Sequence, residues 1–346
     1  MKILFVIPSM KCGGAERVAV TIAKCLPEHD IKFINLGHPE GELTHWINPY
    51  FQTISLDCNR SLTAYRKLKR IIAKELPDFV FSTHFHIATI LMLISKPPTT
   101  KVVIRIPTMP SNEQKEFKIK VLEILERRLF RKAYKIIAQT EEMKDEICDM
   151  LNVNASIITV IHNPLDTTLI AKQTSNITNP FDETKTNYLS VGNISFAKAY
   201  DTLIESFNIV SEKDSKAQLY ILGRTDSEYA EKITALANGN DNIHFEGFCE
   251  NPYRYMKYCS AFVLSSRMEG LPNVVLEAMY LNRPVAATTC VPIIDQLIND
   301  GINGYKAEPD NAQSLASAMQ QAVQLHNIHN DGQDESNIIK IKKIFE

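Results

Sequence analysis

In SSRMEGLPNVVLEAM, residues 265–279, two carboxylic acids stand eight positions apart, Glu269 and Glu277. Two such acids can flank one bond as an acid/base couple, or each can accept hydrogen bonds from a different part of one polar ligand. The residues around them favour the second use. SAFVLSS (260–266) reads as a buried strand, RMEG leaves its C-terminal end, and Pro272 suits the first turn of a helix because it has no N–H to satisfy. Glu269 then lies in a loop, and Glu277 sits about a turn and a half inside the helix NVVLEAMYL. Carboxylates so placed can accept from hydroxyls at two ends of an extended ligand. The positive helix end between them suits a diphosphate.

Two more loops carry residues of the same kind. PSMKCGGAER (8–17) holds Gly13 and Gly14 just ahead of a helix. The pair either serves a tight turn or lets an anion approach backbone N–H groups. It fits neither the dinucleotide nor the P-loop fingerprint. VGNISFAKAYD (191–201) places Gly192 and Asn193 at a strand end and Lys198 just before a helix. A lysine at a helix N-terminus is out of place electrostatically unless an anion compensates it, so Lys198 is either a phosphate clamp or a lone surface lysine.

The elements that must hold these loops form two similar series. Strand-like runs fall at 2–8, 31–36, 51–56, 78–82, 101–106, 135–139 and 156–161, with helical stretches at 12–26, 61–76 and 113–134. After the polar stretch 174–187, which has the composition of a linker, the alternation restarts: strands at 188–192, 218–223, 242–248, 260–266, 283–289 and 304–307, and helices at 199–212, at 227–238 and from 272. Such alternation means βαβ units and parallel sheets. The expected fold class is α/β, with two doubly wound, Rossmann-like domains facing a central cleft. The domains expected are 1–165 and 166–330, followed by a tail, 331–346, that forms a helix packing back toward the N-terminal domain.

The net charge of −2 conceals an asymmetry. Residues 1–165 carry 23 Lys and Arg against 17 Asp and Glu (23 − 17 = +6), and the remainder 15 against 23 (15 − 23 = −8). Either the basic half faces something anionic or its lysines simply solvate helix faces. The seven cysteines include no CxxC pair, which argues against a disulfide framework or a zinc site and for a reducing cytoplasm. The most apolar stretch, IATILMLIS (87–95), is well short of the roughly 20 residues that span a bilayer.

EGLPNVVLE (269–277) resembles the E-x7-E signature of retaining glycosyltransferases of GT-B architecture, family 4. GGAERV, IHNPLD (161–166), VGN…K…DTLIESF, the run from GFCENP to Met279 and GINGYKAEPDN (301–311) agree in order and spacing. The resemblance covers nearly the whole chain and is weakest at 35–75 and after 325. It implies a nucleotide-sugar donor, more readily a UDP-sugar than a GDP-sugar, held mainly by the C-terminal domain. Glu277 would accept from the ribose hydroxyls. Glu269 would hold the donor sugar, with Gly270, Leu271, Asn273 and Val274 around sugar and phosphate. Lys198 would pair with the diphosphate beside Gly192, and Gly13 and Gly14 would approach it from the other domain. Glu269 and Lys198 would be the catalytic residues. The family is metal-independent, no DxD-type motif stands in a suitable loop, and neither metal nor cofactor is expected. One departure is that relatives carry arginine where this chain has Asn193; either Arg267 or Arg224 supplies the missing charge, or donor affinity is lower.

On the acceptor side, STHFHIA (82–88) offers His84 or His86, with His84 read as lining the cleft only slightly ahead of a plain surface-loop histidine, and KVVIRI offers Arg105 for an anionic acceptor group. The stretch 115–135 sets Phe117, Val121, Leu122, Leu125 and Leu129 on one side, with Lys118, Lys120, Arg127, Arg128, Arg131, Lys132 and Lys135 supplying charge. Such a helix can lie on anionic lipid or pack on the core with a solvated basic face. The expected protein is a cytoplasmic transferase, peripheral on the inner face of the plasma membrane, that extends a lipid-linked glycan for a cell-surface polysaccharide and binds no nucleic acid. A sugar-nucleotide epimerase of the same architecture and a non-catalytic sugar-nucleotide-binding protein are the alternatives.

Overall fold

The computed structural model describes residues 1–11, 13–58, 61–109, 119–326, 328 and 335–346. Met1–Pro164 together with Asp334–Glu346 form one compact unit, and Leu165–Gln333 form a second.

The first unit runs β1 (Lys2–Ile7), α1 (Gly14–Lys24), β2 (Asp30–Asn35), α2 (Thr44–Ile47), β3 (Gln52–Ser55), α3 (Ser61–Glu75) and β4 (Phe79–Ser82). It continues through α4 (Phe85–Leu93), β5 (Lys101–Arg105), α5 (Ile119–Phe130), β6 (Lys135–Ala138), α6 (Glu141–Leu151) and β7 (Ile158–Val160). The sheet is parallel, in the order β3-β2-β1-β4-β5-β6-β7. Because β1 is buried on both faces, its sequence is an unbroken apolar run. Ile3, Phe5 and Ile7 enter one core and Leu4 and Val6 the other.

The second unit runs α7 (Thr167–Gln173), β8 (Thr186–Val191), α8 (Tyr200–Lys213), β9 (Ala217–Leu222), α9 (Glu228–Leu236), β10 (Ile243–Gly247) and α10 (Tyr253–Tyr258). Then come β11 (Ala261–Leu264), α11 (Asn273–Tyr280), β12 (Val285–Thr288), α12 (Ile293–Leu297), β13 (Gly304–Ala307) and α13 (Ala312–Ala322). Its parallel sheet is ordered β10-β9-β8-β11-β12-β13. In each sheet the strand order reverses beside the first strand, between β1 and β4 and between β8 and β11. Such reversal points are where open α/β sheets bind ligands.

The last helix, α14 (Glu335–Ile344), belongs to the first unit. Ile341, Ile344 and Phe345 enter the core beneath β1, where the Phe345 ring lies edge-on to Phe79 at 5.3 Å between centroids. Burying one such ring stabilises by roughly 1.5–3 kcal/mol.

One expectation needs correction. The polar stretch 174–187 is no free linker, since the units divide between Pro164 and Leu165. Phe181 is buried in the second unit against Tyr220 and Tyr255, and the Thr174 and Ile177 carbonyls accept from Lys257 Nζ (2.9 Å) and Tyr258 Oη (3.1 Å). Its composition is polar, but one aromatic anchor and its backbone carbonyls fix it. The basic stretch 115–135 falls partly on α5, where Leu129 is partly buried against the core. Phe117 and Lys118, and the side chains of Lys120, Val121 and Leu122, lie outside the described residues. Leu125 is exposed, whereas Phe130 is buried and stacks on Phe85 at 5.8 Å. Arg127, Arg128, Arg131 and Lys132 are exposed, while Lys135 is half-buried and donates to the Ser156 carbonyl. The apolar 87–95 stretch forms most of α4 and places Ile87, Ala88 and Leu91 in the core. Among the described residues no helix is long and apolar enough to cross a membrane.

Candidate active site

In the second unit, the loops after β8 and β11 meet. β8 ends at Val191, and the Gly192 carbonyl accepts from Tyr200 Oη at 2.8 Å. Gly223, after β9, lies so close to Gly192 that a methyl group there would overlap the Gly192 oxygen. A one-turn helix, Phe196–Lys198, follows, and Ala199 takes a left-handed conformation (φ 49°) that turns the chain into α8. From this turn Lys198 Nζ donates to Glu269 Oε1 at 2.5 Å. Ser266 Oγ donates to the same oxygen at 2.6 Å, and Ser265 Oγ holds the Lys198 carbonyl at 2.8 Å. Thr288 Oγ1 in turn donates to the Ser266 carbonyl at 2.6 Å, which ties the end of β12 to the same loop. Cys290 adjoins the pair; burial first, and the Glu269 charge next, push its thiol up to about 12, so it stays neutral.

Glu277 lies inside α11, only 4% exposed, and accepts from Tyr253 Oη at 3.1 Å. Pro272 caps α11 rather than opening its first turn, and the helix's own hydrogen bonding begins at the Val275 N–H. Gly270 and Leu271 are buried ahead of it, and Asn273 and Val274 are half-buried at its start. Glu269 and Glu277 thus stand on either side of a helix N-terminus, one bound to a lysine and the other to a tyrosine.

The site departs from expectation at Arg267. As a substitute for the charge missing at Asn193, its guanidinium should face an anionic ligand. Instead it is held by Asp201 Oδ2 (2.8 Å), Asp310 Oδ1 (2.6 Å) and the Phe196 carbonyl (2.9 Å), and it covers the Phe196 ring at 4.4 Å. The hydrogen bond to Asp201 holds Arg267 firmly in its charged form, but two carboxylates already balance that charge. Arg224 lies over the Phe248 ring. Asn193 itself is exposed.

In the first unit the loops after β1 and β4 bring Glu16 and His84 together. Gly13 caps α1 and Gly14 begins it. The end of the Glu16 side chain lies where a Cβ on Gly13 would point, so a side chain there would have to displace that carboxylate. Glu16 Oε1 is 3.2 Å from His84 Nε2, and Thr83 Oγ1 is 3.1 Å from His84 Nδ1. Burial first, and His84 next, pull the His86 imidazole below its ordinary value. Arg105 is only 2% exposed and turns inward. Its Nη2 donates to Asn163 Oδ1 (2.5 Å), Asn163 Nδ2 donates to Gln139 Oε1 (3.0 Å), and Gln139 Nε2 donates to the Ile106 and Pro107 carbonyls. Burial pulls the Arg105 guanidinium down to about 9, still charged at neutral pH. Arg105 is therefore part of an interior polar chain and not a group presented at the strand end.

Sequence reasoning missed Glu16, Tyr200, Tyr253, Ser266 and Cys290. Only Glu16 had a local signal: it stands three residues after the helix cap Gly13, where an acid suits the first turn.

Two family descriptions match the chain in series. The model for "Glycosyltransferase Family 4" matches residues 12–169, and that for "Glycosyl transferases group 1" matches 172–336. The chain is a GT-B glycosyltransferase of family 4. An uncharacterised glycosyltransferase of Methanocaldococcus jannaschii is 31% identical to it over 242 residues, which cover 65% of this family 4 chain and 58% of that protein. The N-acetylgalactosamine-N,N'-diacetylbacillosaminyl-diphospho-undecaprenol 4-alpha-N-acetylgalactosaminyltransferase of Campylobacter jejuni is 25% identical over 330 residues, 89% of this chain and 86% of that one. The crystal structure of Anabaena HepE in complex with UDP-glucose superposes with a TM-score of 0.77 at 17% identity, over 100% of this chain and 98% of that one. That likeness shows the glycosyltransferase fold.

Proposed function

We propose that this glycosyltransferase moves a sugar from a UDP-sugar to a lipid-linked saccharide in cell-surface polysaccharide synthesis, with retention of anomeric configuration and without a metal. The carrying observation is the Lys198–Glu269 pair at the reversal point of the second sheet, beside the N-terminus of α11. Breaking the anomeric C–O bond leaves its electron pair on a diphosphate oxygen. Lys198 and the helix N-terminus neutralise that developing charge, the largest catalytic task in the reaction. Glu269 accepts from hydroxyls of the donor sugar and Glu277 from those of the ribose. The acceptor hydroxyl forms the new C–O bond on the face the phosphate leaves, and its proton passes to the departing phosphate oxygen. No group of the protein has to bond to the sugar.

UDP-glucose is the ligand named in the HepE complex, and the Campylobacter relative is named for a diphospho-undecaprenol acceptor. Both support the choice of donor and acceptor class. The exposed Arg127, Arg128, Arg131 and Lys132 would draw the first unit to anionic lipid. Incubation with radiolabelled UDP-sugars and an acceptor-lipid extract tests the reading. Label in the lipid fraction supports transfer. An altered free nucleotide sugar would indicate an epimerase, and binding without product a non-catalytic protein.

Variants in each unit probe the halves separately. Asn193→Arg restores the relatives' charge and should tighten UDP about fivefold or more while uridine binding changes less than twofold, roughly 1 kcal/mol at the diphosphate alone. Equal changes in both would place residue 193 away from the diphosphate. His84→Ala should raise the acceptor KM about tenfold and leave the Kd for UDP within twofold, because one hydrogen bond from a polar partner contributes roughly 1–2 kcal/mol. Glu16→Gln, which keeps the shape but not the charge beside His84, should act in the same direction. A matching loss of UDP affinity would remove His84 from the acceptor side.

A further inference from the structure

We propose that Arg267 is a positioning residue: a latch that fixes the 193–199 loop so that Lys198 meets the leaving diphosphate at a set point. This rests on the role given to Lys198 above. The observations concern the loop's backbone. The Arg267 N–H donates to the Ala197 carbonyl at 2.8 Å, and the guanidinium Nη1 donates to the Phe196 carbonyl at 2.9 Å. Together with the Ser265 hydroxyl on the Lys198 carbonyl, three consecutive carbonyls of the turn are held from the β11 loop. The same guanidinium binds Asp201 in the first turn of α8 and Asp310 in the loop after β13, and its plane covers the exposed Phe196 ring.

Three separate loops at one end of the sheet are thus joined through one planar cation. Arginine suits this because its fork donates in several fixed directions at once, which a lysine cannot do. The left-handed Ala199 closes the far end of the same turn. A loop fixed at both ends presents the Lys198 ammonium without the entropic cost of ordering it when donor binds. In a chain with Asn193 in place of a second cation, diphosphate recognition falls on one lysine, and its placement matters more. Arg267 thereby serves the diphosphate through Lys198, although its own charge is engaged elsewhere.

A double-mutant cycle tests the latch. Arg267→Ala should lower kcat/KM and UDP affinity about tenfold or more, since small misplacement of a positioned group is costly, while uridine affinity stays within twofold. Arg267→Lys should not restore the loss. In a Lys198→Ala background, Arg267→Ala should cost less than about twofold. An equal factor in both backgrounds, or equal loss for UDP and uridine, would overturn the proposal. Asp310→Asn runs the same cycle on an exposed side chain, should Arg267→Ala fail to fold. If Lys198→Ala alone leaves UDP binding and turnover unchanged, it is the assignment of Lys198 that fails, a result distinct from a missing coupling.

Discussion

Glu269→Gln is expected to lower turnover and at the same time tighten the binding of UDP. Glu269 holds Lys198 at 2.5 Å before any donor is present, with Ser266 on the same oxygen. In the proposed reaction the diphosphate therefore competes with Glu269 for its cation. Removing the carboxylate's charge frees Lys198 and removes an anion from beside the phosphates. Both effects favour UDP, by roughly 1 kcal/mol, or about fivefold. Turnover should move the other way, because in the proposed reaction Glu269 would no longer accept from the donor sugar with full charge. A charge-assisted hydrogen bond contributes roughly 1.5–3 kcal/mol, so kcat/KM should fall about 10- to 100-fold. Steady-state kinetics and calorimetric titration of UDP check the two halves. Loss of both activity and UDP affinity would mean that Glu269 supports the phosphates directly and does not compete with them.

Glu277→Gln is expected to remove most of the thermal stabilisation given by UDP. The side chain is buried and accepts from Tyr253. Glutamine can keep that bond through its carbonyl, so the fold should survive while the charged acceptor for the ribose hydroxyls is lost. Stabilisation follows the ratio of free ligand to Kd. At ten times Kd, UDP stabilises by roughly 1.4 kcal/mol; after a 30-fold loss of affinity the same concentration gives about 0.2 kcal/mol. Uridine should weaken by the same factor as UDP, in contrast to changes at Lys198, which act on UDP alone. An unchanged melting shift would remove Glu277 from the ribose.

Much of this was readable from residue order, for physical reasons that differ by element. Parallel strands buried on both faces must be continuous apolar runs, so central strands such as β1 (KILFVI) and β11 (AFVL) fall on such runs, whereas the edge strands β3 (QTIS), β10 (IHFEG) and β13 (GYKA) are mixed. The EGLPNVVLE stretch announced its loop and helix because proline and glycine mark such boundaries. Other elements left fainter traces. α13 buries Ala316, Ala318 and Ala322, whose small side chains give little hydrophobic periodicity, and α10 and α12 span six and five residues. Position in the fold accounts for the rest. Nothing local tells that Asp310 reaches Arg267 across 43 positions, or that Arg105 folds inward to Asn163 rather than outward. Phe345 likewise declares an apolar residue in a basic tail but not its place against Phe79. Glu16 is the instructive middle case: its position after Gly13 predicts a helix start, and only the β1–β4 pairing puts His84 beside it.

The central claim is that Lys198 is shared between Glu269 and the donor diphosphate. The most direct measurement is the Kd for UDP, by calorimetry under one buffer, of the unaltered protein, Glu269→Gln and Lys198→Ala, with uridine as control. The predicted order is tightest for Glu269→Gln, intermediate for the unaltered chain and weakest, by about tenfold or more, for Lys198→Ala, with uridine nearly constant across all three. Equal UDP affinities in the three proteins would contradict it.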